Sequence, residues 1–290
     1  AYEFYLNRNP GIDLAADRLE IGVCAQHNNG GIDVDLWWRS SIAGLFPVGE
    51  AAGAHGVARP GGAALNSAQV GATRAAQWIA AREQGAARAD EGWQELAGDA
   101  LQKARSLLEA ACGREESSGV LIDDVLMEST RAMSDNAGLV RSRQGLEELA
   151  RNVAEWRRRV VDECVVDPTS RRSVDRLFLV RDILDVQAVY VAAMLDHLDH
   201  GVGSRGSVLY TDPDGDLPVS WWNDGADLDV EEIFRHRLDS KAHHGVTQRV
   251  SVDAVGEAIH AHWGPVRPIP TEDEFLENVW KTYRVDHNIH

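Results

Sequence analysis

Cysteine is scarce: three residues in 290, Cys24, Cys112 and Cys164, none of them in a Cys-x-x-Cys pair. That excludes a disulfide framework and offers neither a zinc nor an iron-sulfur ligand set, so the three thiols read as small buried apolar residues. No run of 18 apolar residues occurs either, and no helix of this chain is expected to span a membrane. Positive charge is in deficit, with Lys plus Arg at 29 against Asp plus Glu at 46 and a formal net charge of −17. Such a balance argues against a nucleic-acid backbone as partner, and any anionic substrate needs a local patch of positive charge. The amino terminus lacks the basic, apolar, small-residue series of a signal peptide, which leaves the cytoplasm as the default compartment.

Proline is missing between Pro60 and Pro168, a stretch that is otherwise helix-periodic. The apolar spacing predicts helices near 66–84, 91–112, 120–134, 145–164 and 173–200. Antiparallel helices of this kind form a bundle, with Asp167-Pro168-Thr169-Ser170 as a turn between two of them. The run from Gln84 to Asp90 replaces the apolar pattern with small and charged residues and marks a boundary. Upstream, Leu19–Ala25 and Ile32–Trp38 read as strands, the second because Ile32, Val34 and Leu36 alternate with Asp33 and Asp35. Downstream, Ser207–Tyr210 looks like a strand, the rest reads as irregular, and Thr271-Glu-Asp-Glu274 has the pattern of a capping box opening a last helix. Gly201 to Gly206 matches Gly-x-Gly-x-x-Gly, but a helix precedes it and a strand follows, the reverse of a dinucleotide fingerprint. A glycine helix stop is the better reading. His260 and His262, two apart on a strand, share a face, yet no third residue at fixed spacing completes a metal site.

The most informative stretch runs from Gly44 to Ser67. Leu45, Phe46 and Val48 predict a short strand, Gly49 a tight exit, and Glu50 the first side chain past the strand's carboxyl end, where open α/β sheets place ligands. Gly53, Gly56, Gly61 and Gly62 allow close backbone approach to a flat ligand. The following helix points its amino terminus into this loop, an arrangement that favours anions. Glu50 offers lone pairs to ligand hydroxyls, Arg59 is the loop's one cation and suits a carboxylate, His55 is placed to hydrogen-bond backbone or ligand, and His27 can donate to a carboxylate or carry a proton.

The residues Gly44-Leu-Phe-Pro-Val-Gly-Glu50, His55-Gly-Val-Ala-Arg59 and Gly61-Gly-Ala-Ala-Leu65, with Gln26-His-Asn-Asn-Gly-Gly-Ile32 upstream, resemble the flavin-proximal signature of the fumarate reductase, succinate dehydrogenase and L-aspartate oxidase flavoproteins. Ser134-Asp-Asn-Ala-Gly-Leu-Val-Arg141 and Ser204-Arg-Gly206 are similar to landmarks of that family's helical domain. The resemblance implies an α+β protein: the carboxyl-terminal part of an FAD-binding α/β domain over 1–85, a helical bundle over 86–202, and an irregular or mixed region over 203–290. It also implies FAD as cofactor, held by Gly49, Glu50, His55, Ala64 and Leu65, with Arg59 and His27 serving a small carboxylate substrate during hydride transfer. Ala64 stands where the family has serine, so only a backbone contact carries over there. Glu50 and Arg59 lie nine positions apart, closer than the family spaces them, and Pro60 follows Arg59.

The family's adenine-binding unit precedes these motifs and nothing like it lies ahead of Gly44, so the chain reads as a fragment whose first partner is an amino-terminal flavoprotein segment. An iron-sulfur electron-transfer subunit is a second implied partner, and through it a peripheral place at the inner face of a membrane. A non-catalytic docking module, its bundle serving an electron-transfer partner, is the competing reading.

Overall fold

The structure, a computed structural model, describes residues 2–18, 29–56, 62–82, 92–115, 119–206, 208–219, 229–253, 258–266, 271, 281–282 and 284–285. Helices α1 (Tyr2–Arg8), α2 (Ala63–Arg82) and α3 (Trp93–Cys112) come first. Then β1 (Val120–Leu121), α4 (Ile122–Ala137), β2 (Val140–Arg141), α5 (Arg143–Asp162), β3 (Cys164–Val165) and α6 (Arg171–Asp199) alternate, and β4 (Leu209–Asp216), β5 (Val246–Val252) and β6 (Ile259–Pro265) close the chain. The result is α+β, with the helices dominant.

The main core lies among α4, α5 and α6. Leu146, Leu149, Val153, Trp156 and Val160 form the buried stripe of α5, and Leu177, Val180, Leu184, Gln187 and Val191 that of α6. Both sets follow the same three-four-three-four spacing, which keeps one side of each helix turned inward. Leu146, Leu149, Leu177 and Leu184 are fully buried, each worth about 1.5–3 kcal/mol of transfer free energy. The carboxyl-terminal end of α3 joins this core through Leu107, Leu108 and Ala111. Arg114, just past α3, donates from Nη1 to the Cys164 carbonyl and from Nη2 to the Val161 carbonyl, both at 2.8 Å. Burial pushes the Cys164 thiol up to about 11, so it stays protonated and acts as a small apolar core residue, as its sequence context suggested. Cys24 lies outside the described residues.

Two very short parallel ladders tie the bundle together. β1 pairs with β3 (Val120 with Cys164, Leu121 with Val165) and β2 pairs with β4 (Val140 with Leu209, Arg141 with Tyr210). The region after residue 203, expected to be irregular past a first strand, contains an ordered antiparallel hairpin, β5 with β6, in register from Val246 opposite Pro265 to Val252 opposite Ile259. The hairpin docks on the end of α6: Gln248 Nε2 (2.6 Å) and Trp263 Nε1 (2.8 Å) both donate to Asp196 Oδ2, and His200 packs on Trp263 with ring centroids 4.8 Å apart. Gly201, at φ +68°, ends α6, and the chain then turns toward β4, which fits a glycine helix stop. His260 and His262 sit on β6 and are both exposed. Among the described residues no group of three potential metal ligands exists, and no helix is long and apolar enough to cross a membrane.

Two strand expectations fail. The segment 32–38 is not a strand, because Asp35 accepts the N–H groups of Trp37 (2.8 Å) and Arg39 (3.0 Å) and folds the chain into a turn after Val34. An aspartate closing its own backbone in this way outcompetes the apolar alternation. Leu45, Phe46 and Val48 form no ladder either. Val48 is extended, at φ −130° and ψ 159°, but among the described residues of 29–82 the one pairing is an isolated parallel bridge between Ile32 and Ala52. The remaining readings at 19–25, at the 84–90 boundary and at most of the last helix lie outside the described residues.

Candidate functional site

The site is built on α2. Its start is open, with Ala64 half-buried and Leu65 74% exposed in the first turn. The Asn66 N–H of this turn donates to the Gly62 carbonyl at 3.5 Å, and the N–H groups before it have no acceptor within the helix. One turn further on, Ala68 meets Gly49: a Cβ placed on Gly49 would stand 3.1 Å from the Ala68 Cβ, and Gly49 itself has φ +63°. Both the space and the backbone angle suit glycine alone. Gly49 opens a short 3-10 turn, Gly49–Ala51, which puts Glu50 on the exposed side of this contact. At 1.5 Å of rise per residue, Ala64 lies about 6 Å along the axis from the Ala68 that Gly49 touches, a little more than one helical turn.

The 3-10 turn is held from behind by the segment before it. Ile32 donates to the Ala51 carbonyl at 2.9 Å and Gly53 donates to the Ile32 carbonyl at 3.0 Å. The approach is so close that a Cβ on Gly31 would fall 2.6 Å from the Ala51 oxygen. Gly31, the second of the Gly30-Gly31 pair noted in the sequence, is therefore needed for backbone to pass backbone, whereas Gly30 has open space around it. His55 follows this junction, half-buried, and precedes Gly56 at φ +68°.

Residues 35–39 grip the same helix lower down. Asp35 donates its N–H to the Arg39 carbonyl (3.0 Å) and its carbonyl accepts from Trp38 N–H (3.1 Å), closing a tight loop. Burial acts to raise the Asp35 pKa, but hydrogen bonds from the Arg39 backbone, the Arg39 side chain and the Trp37 backbone outweigh it and hold the carboxyl below its ordinary value. Three consecutive side chains then face α2. The Arg39 guanidinium lies 4.0 Å from the Trp78 ring centroid, the Arg74 guanidinium 4.4 Å from that of Trp37, and Trp37 and Trp78 are 5.8 Å apart. Between them Trp38, 9% exposed, fills the space over Gly71: a Cβ there would be 2.8 Å from two indole carbons. Trp38 is also the single non-glycine residue with positive φ, +61°, among those described.

Of the residues that the sequence proposed, Gly49 packs on α2 at Ala68, Glu50 is exposed beside it, Ala64 and Leu65 lie in the first turn of the same helix, His55 lies just past the junction, and His27 and Arg59 lie outside the described residues. The sequence did not single out Trp37, Trp38 or Arg39 as a clamp on α2. The available signal was Gly71 in mid-helix, four residues before Ala75 and seven before Trp78, a place where a bulky neighbour needs room.

No protein-family model matches this chain. Over 66 residues it is 39% identical to one of the polypeptides of the fumarate reductase (CoM/CoB) of Methanothermobacter marburgensis, a match that covers 22% of this chain and 12% of that protein. Among solved structures, the FrdA chain of E. coli quinol fumarate reductase superposes at a TM-score of 0.62 with 20% identity, covering 85% of this chain and 38% of FrdA. The Mycobacterium smegmatis Sdh1 complex in its apo form gives a TM-score of 0.62 at 20% identity, covering 93% and 41%. The chain spans less than half the length of the solved chains it matches. These are flavoprotein chains of the fumarate reductase and succinate dehydrogenase kind, and the fold is that of their carboxyl-terminal portion.

Proposed function

We propose that this chain supplies the isoalloxazine-side wall and the helical domain of an FAD-dependent oxidoreductase of the succinate dehydrogenase and fumarate reductase type. The observation that carries the proposal is the packing of Gly49 on α2 at Ala68, which sets the exposed Glu50 beside a helix whose first turn holds Ala64 and the exposed Leu65. The residues fit the flavin. An exposed carboxylate accepts hydrogen bonds from ribityl hydroxyls, first-turn N–H groups donate to an electron-rich edge, and Leu65 offers an uncovered apolar side chain to a ring face. Ala64, with its small side chain, leaves room for close approach.

When bound, the flavin supplies the hydride acceptor or donor, which no side chain of the protein can replace. The chain's own residues bind and orient. Glu50 fixes the ribityl chain, the α2 amino terminus stabilises negative charge, and Leu65 keeps water from the ring. Arg59 is assigned to the substrate carboxylate, where its planar fork makes two parallel hydrogen bonds, and His27 to a donor role beside it. The substrate class is a small carboxylate. An amino-terminal flavoprotein segment completes the cofactor site, an iron-sulfur subunit receives or delivers electrons, and the assembly works in the cytoplasm or at the inner face of its membrane.

Glu50→Ala in the complete flavoprotein tests the cofactor assignment. The expected result is FAD affinity weakened at least tenfold, as for about 1.5–3 kcal/mol lost with a charged hydrogen-bonding partner, while Glu50→Gln, which keeps one acceptor, loses less. FAD titration by fluorescence quenching measures both. Unchanged affinity in Glu50→Ala sinks the assignment.

A further inference from the structure

We infer that Trp38 is a positioning residue for the flavin site: wedged over Gly71, it sets where α2 lies against the Gly49–Ala51 turn, and so the separation between Glu50 and the Ala64-Leu65 end of the helix. The inference rests on the flavin reading above. Three observations support it.

The first is strain. A bulky residue held at φ +61° is strained relative to ordinary backbone. Such a conformation persists where the surroundings over-determine it, and here the Asp35 side chain, which binds the N–H groups on either side of Trp38, does so. The second is fit. The indole occupies the position where any side chain on residue 71 would stand, so neither partner can shift along the axis without losing the contact. The small core of which Trp38 is part also contains Ala52 and Ala75, with Val34, Phe46 and Val48 packed on it. It therefore joins the segment on both sides of Glu50 directly to α2. The third is placement. Trp38 lies away from the open first turn of α2, so its action on the site passes through the helix. Flanking it, the Arg39–Trp78 and Arg74–Trp37 stacks resist rotation of α2 about its axis.

A size swap across the contact tests this in the complete flavoprotein. Gly71→Ala drives a methyl into the indole and is expected to raise the FAD dissociation constant roughly tenfold, since sub-ångström misplacement of binding groups is strongly penalised. It should also change the visible circular dichroism of the bound flavin. Trp38→Phe shrinks the ring system that the methyl meets. Alone it is expected to weaken FAD binding, and combined with Gly71→Ala it is expected to bring affinity and spectrum back toward those of the unmodified protein, a non-additive pair. If Gly71→Ala does not fold, Trp38→Phe against the double variant makes the same comparison.

A general packing role predicts otherwise: melting temperatures fall in the variants, while FAD affinity and flavin spectrum stay as in the parent. That result overturns the inference. Failure of the double variant to recover relative to Trp38→Phe does so as well. If the unmodified protein itself retains no flavin, the underlying reading fails, an outcome told apart by the parent alone.

Discussion

Gln187 occupies the fourth place in the buried series of α6, in a run otherwise of leucine and valine. It is 6% exposed, and its Oε1 is buried without a hydrogen-bond partner. The side chain lines a shallow groove of about 400 Å³ between α4 and α6, together with Met133, Ile183 and Tyr190. An unmet buried acceptor costs about 1–3 kcal/mol, so Gln187→Leu is expected to stabilise the protein by about 1 kcal/mol, read as a higher urea midpoint at unchanged slope. A lower midpoint would mean that the amide makes a contact worth more than its desolvation. A polar residue in an apolar seam also selects one register over its neighbours, which explains its use in so regular a series.

At the scale of elements, the starts of α5 and α6 depend on serine. Ser142 Oγ accepts the Gly145 N–H at 3.0 Å at the start of α5, and Ser170 Oγ accepts the Ser173 N–H at 3.3 Å at the start of α6. Ser142→Ala should therefore cost about 1 kcal/mol, measurable as a drop in thermal midpoint. No change would show that water replaces the cap. The bundle helices were legible in the sequence because their buried positions recur at helical spacing: the α5 expectation of 145–164 met Arg143–Asp162, and the α6 expectation of 173–200 met Arg171–Asp199. The errors lie where a side chain competes with the backbone. Asp35 captures two N–H groups and turns what alternation suggested was a strand, and Val48 takes extended angles with no strand paired to it among the described residues. The hairpin of β5 and β6 was missed because its burial depends on the end of α6, far away in sequence. For the candidate site, the helix that follows the glycine-rich loop was readable, its expected range from 66 meeting Ala63–Arg82. The Trp38 wedge was not, since a positive φ at tryptophan has no sequence signature.

At the scale of the whole molecule, His197 contributes to the response to acid. Burial lowers its pKa below the ordinary 6.5, the nearby Arg205 and Arg141 guanidiniums lower it further, and its hydrogen bond to the Gly203 carbonyl and the charge of Asp239 act the other way. Its ring stacks on Tyr210 at 4.9 Å. Below pH 6.5 the unfolded chain therefore holds more protons at this site than the folded one. The contribution of neutral His197 is complete above that pH and declines as pH falls toward the lowered folded value. His197→Phe is expected to flatten the thermal midpoint between about pH 7.5 and pH 5.5 relative to the parent; parallel curves would assign the dependence to other groups.

The pairing of β2 with β4 joins residues 69 positions apart, with Arg141 Nη1 donating to the Tyr210 hydroxyl at 3.1 Å. Entropy opposes closing a span of that length, yet grows only slowly with its size, and two rungs plus one side-chain bond hold the closure. Such a join opens at a lower free energy than the leucine-rich helices it encloses. In hydrogen exchange, the Leu209 amide, bonded to the Leu139 carbonyl at 2.8 Å, should exchange before the central amides of α5 and α6. Equal protection would make the closure part of the bundle's cooperative unit. Opened in this order, the chain sheds its last strands first and keeps the three-helix centre intact, so proteolysis would trim it from the carboxyl-terminal side inward.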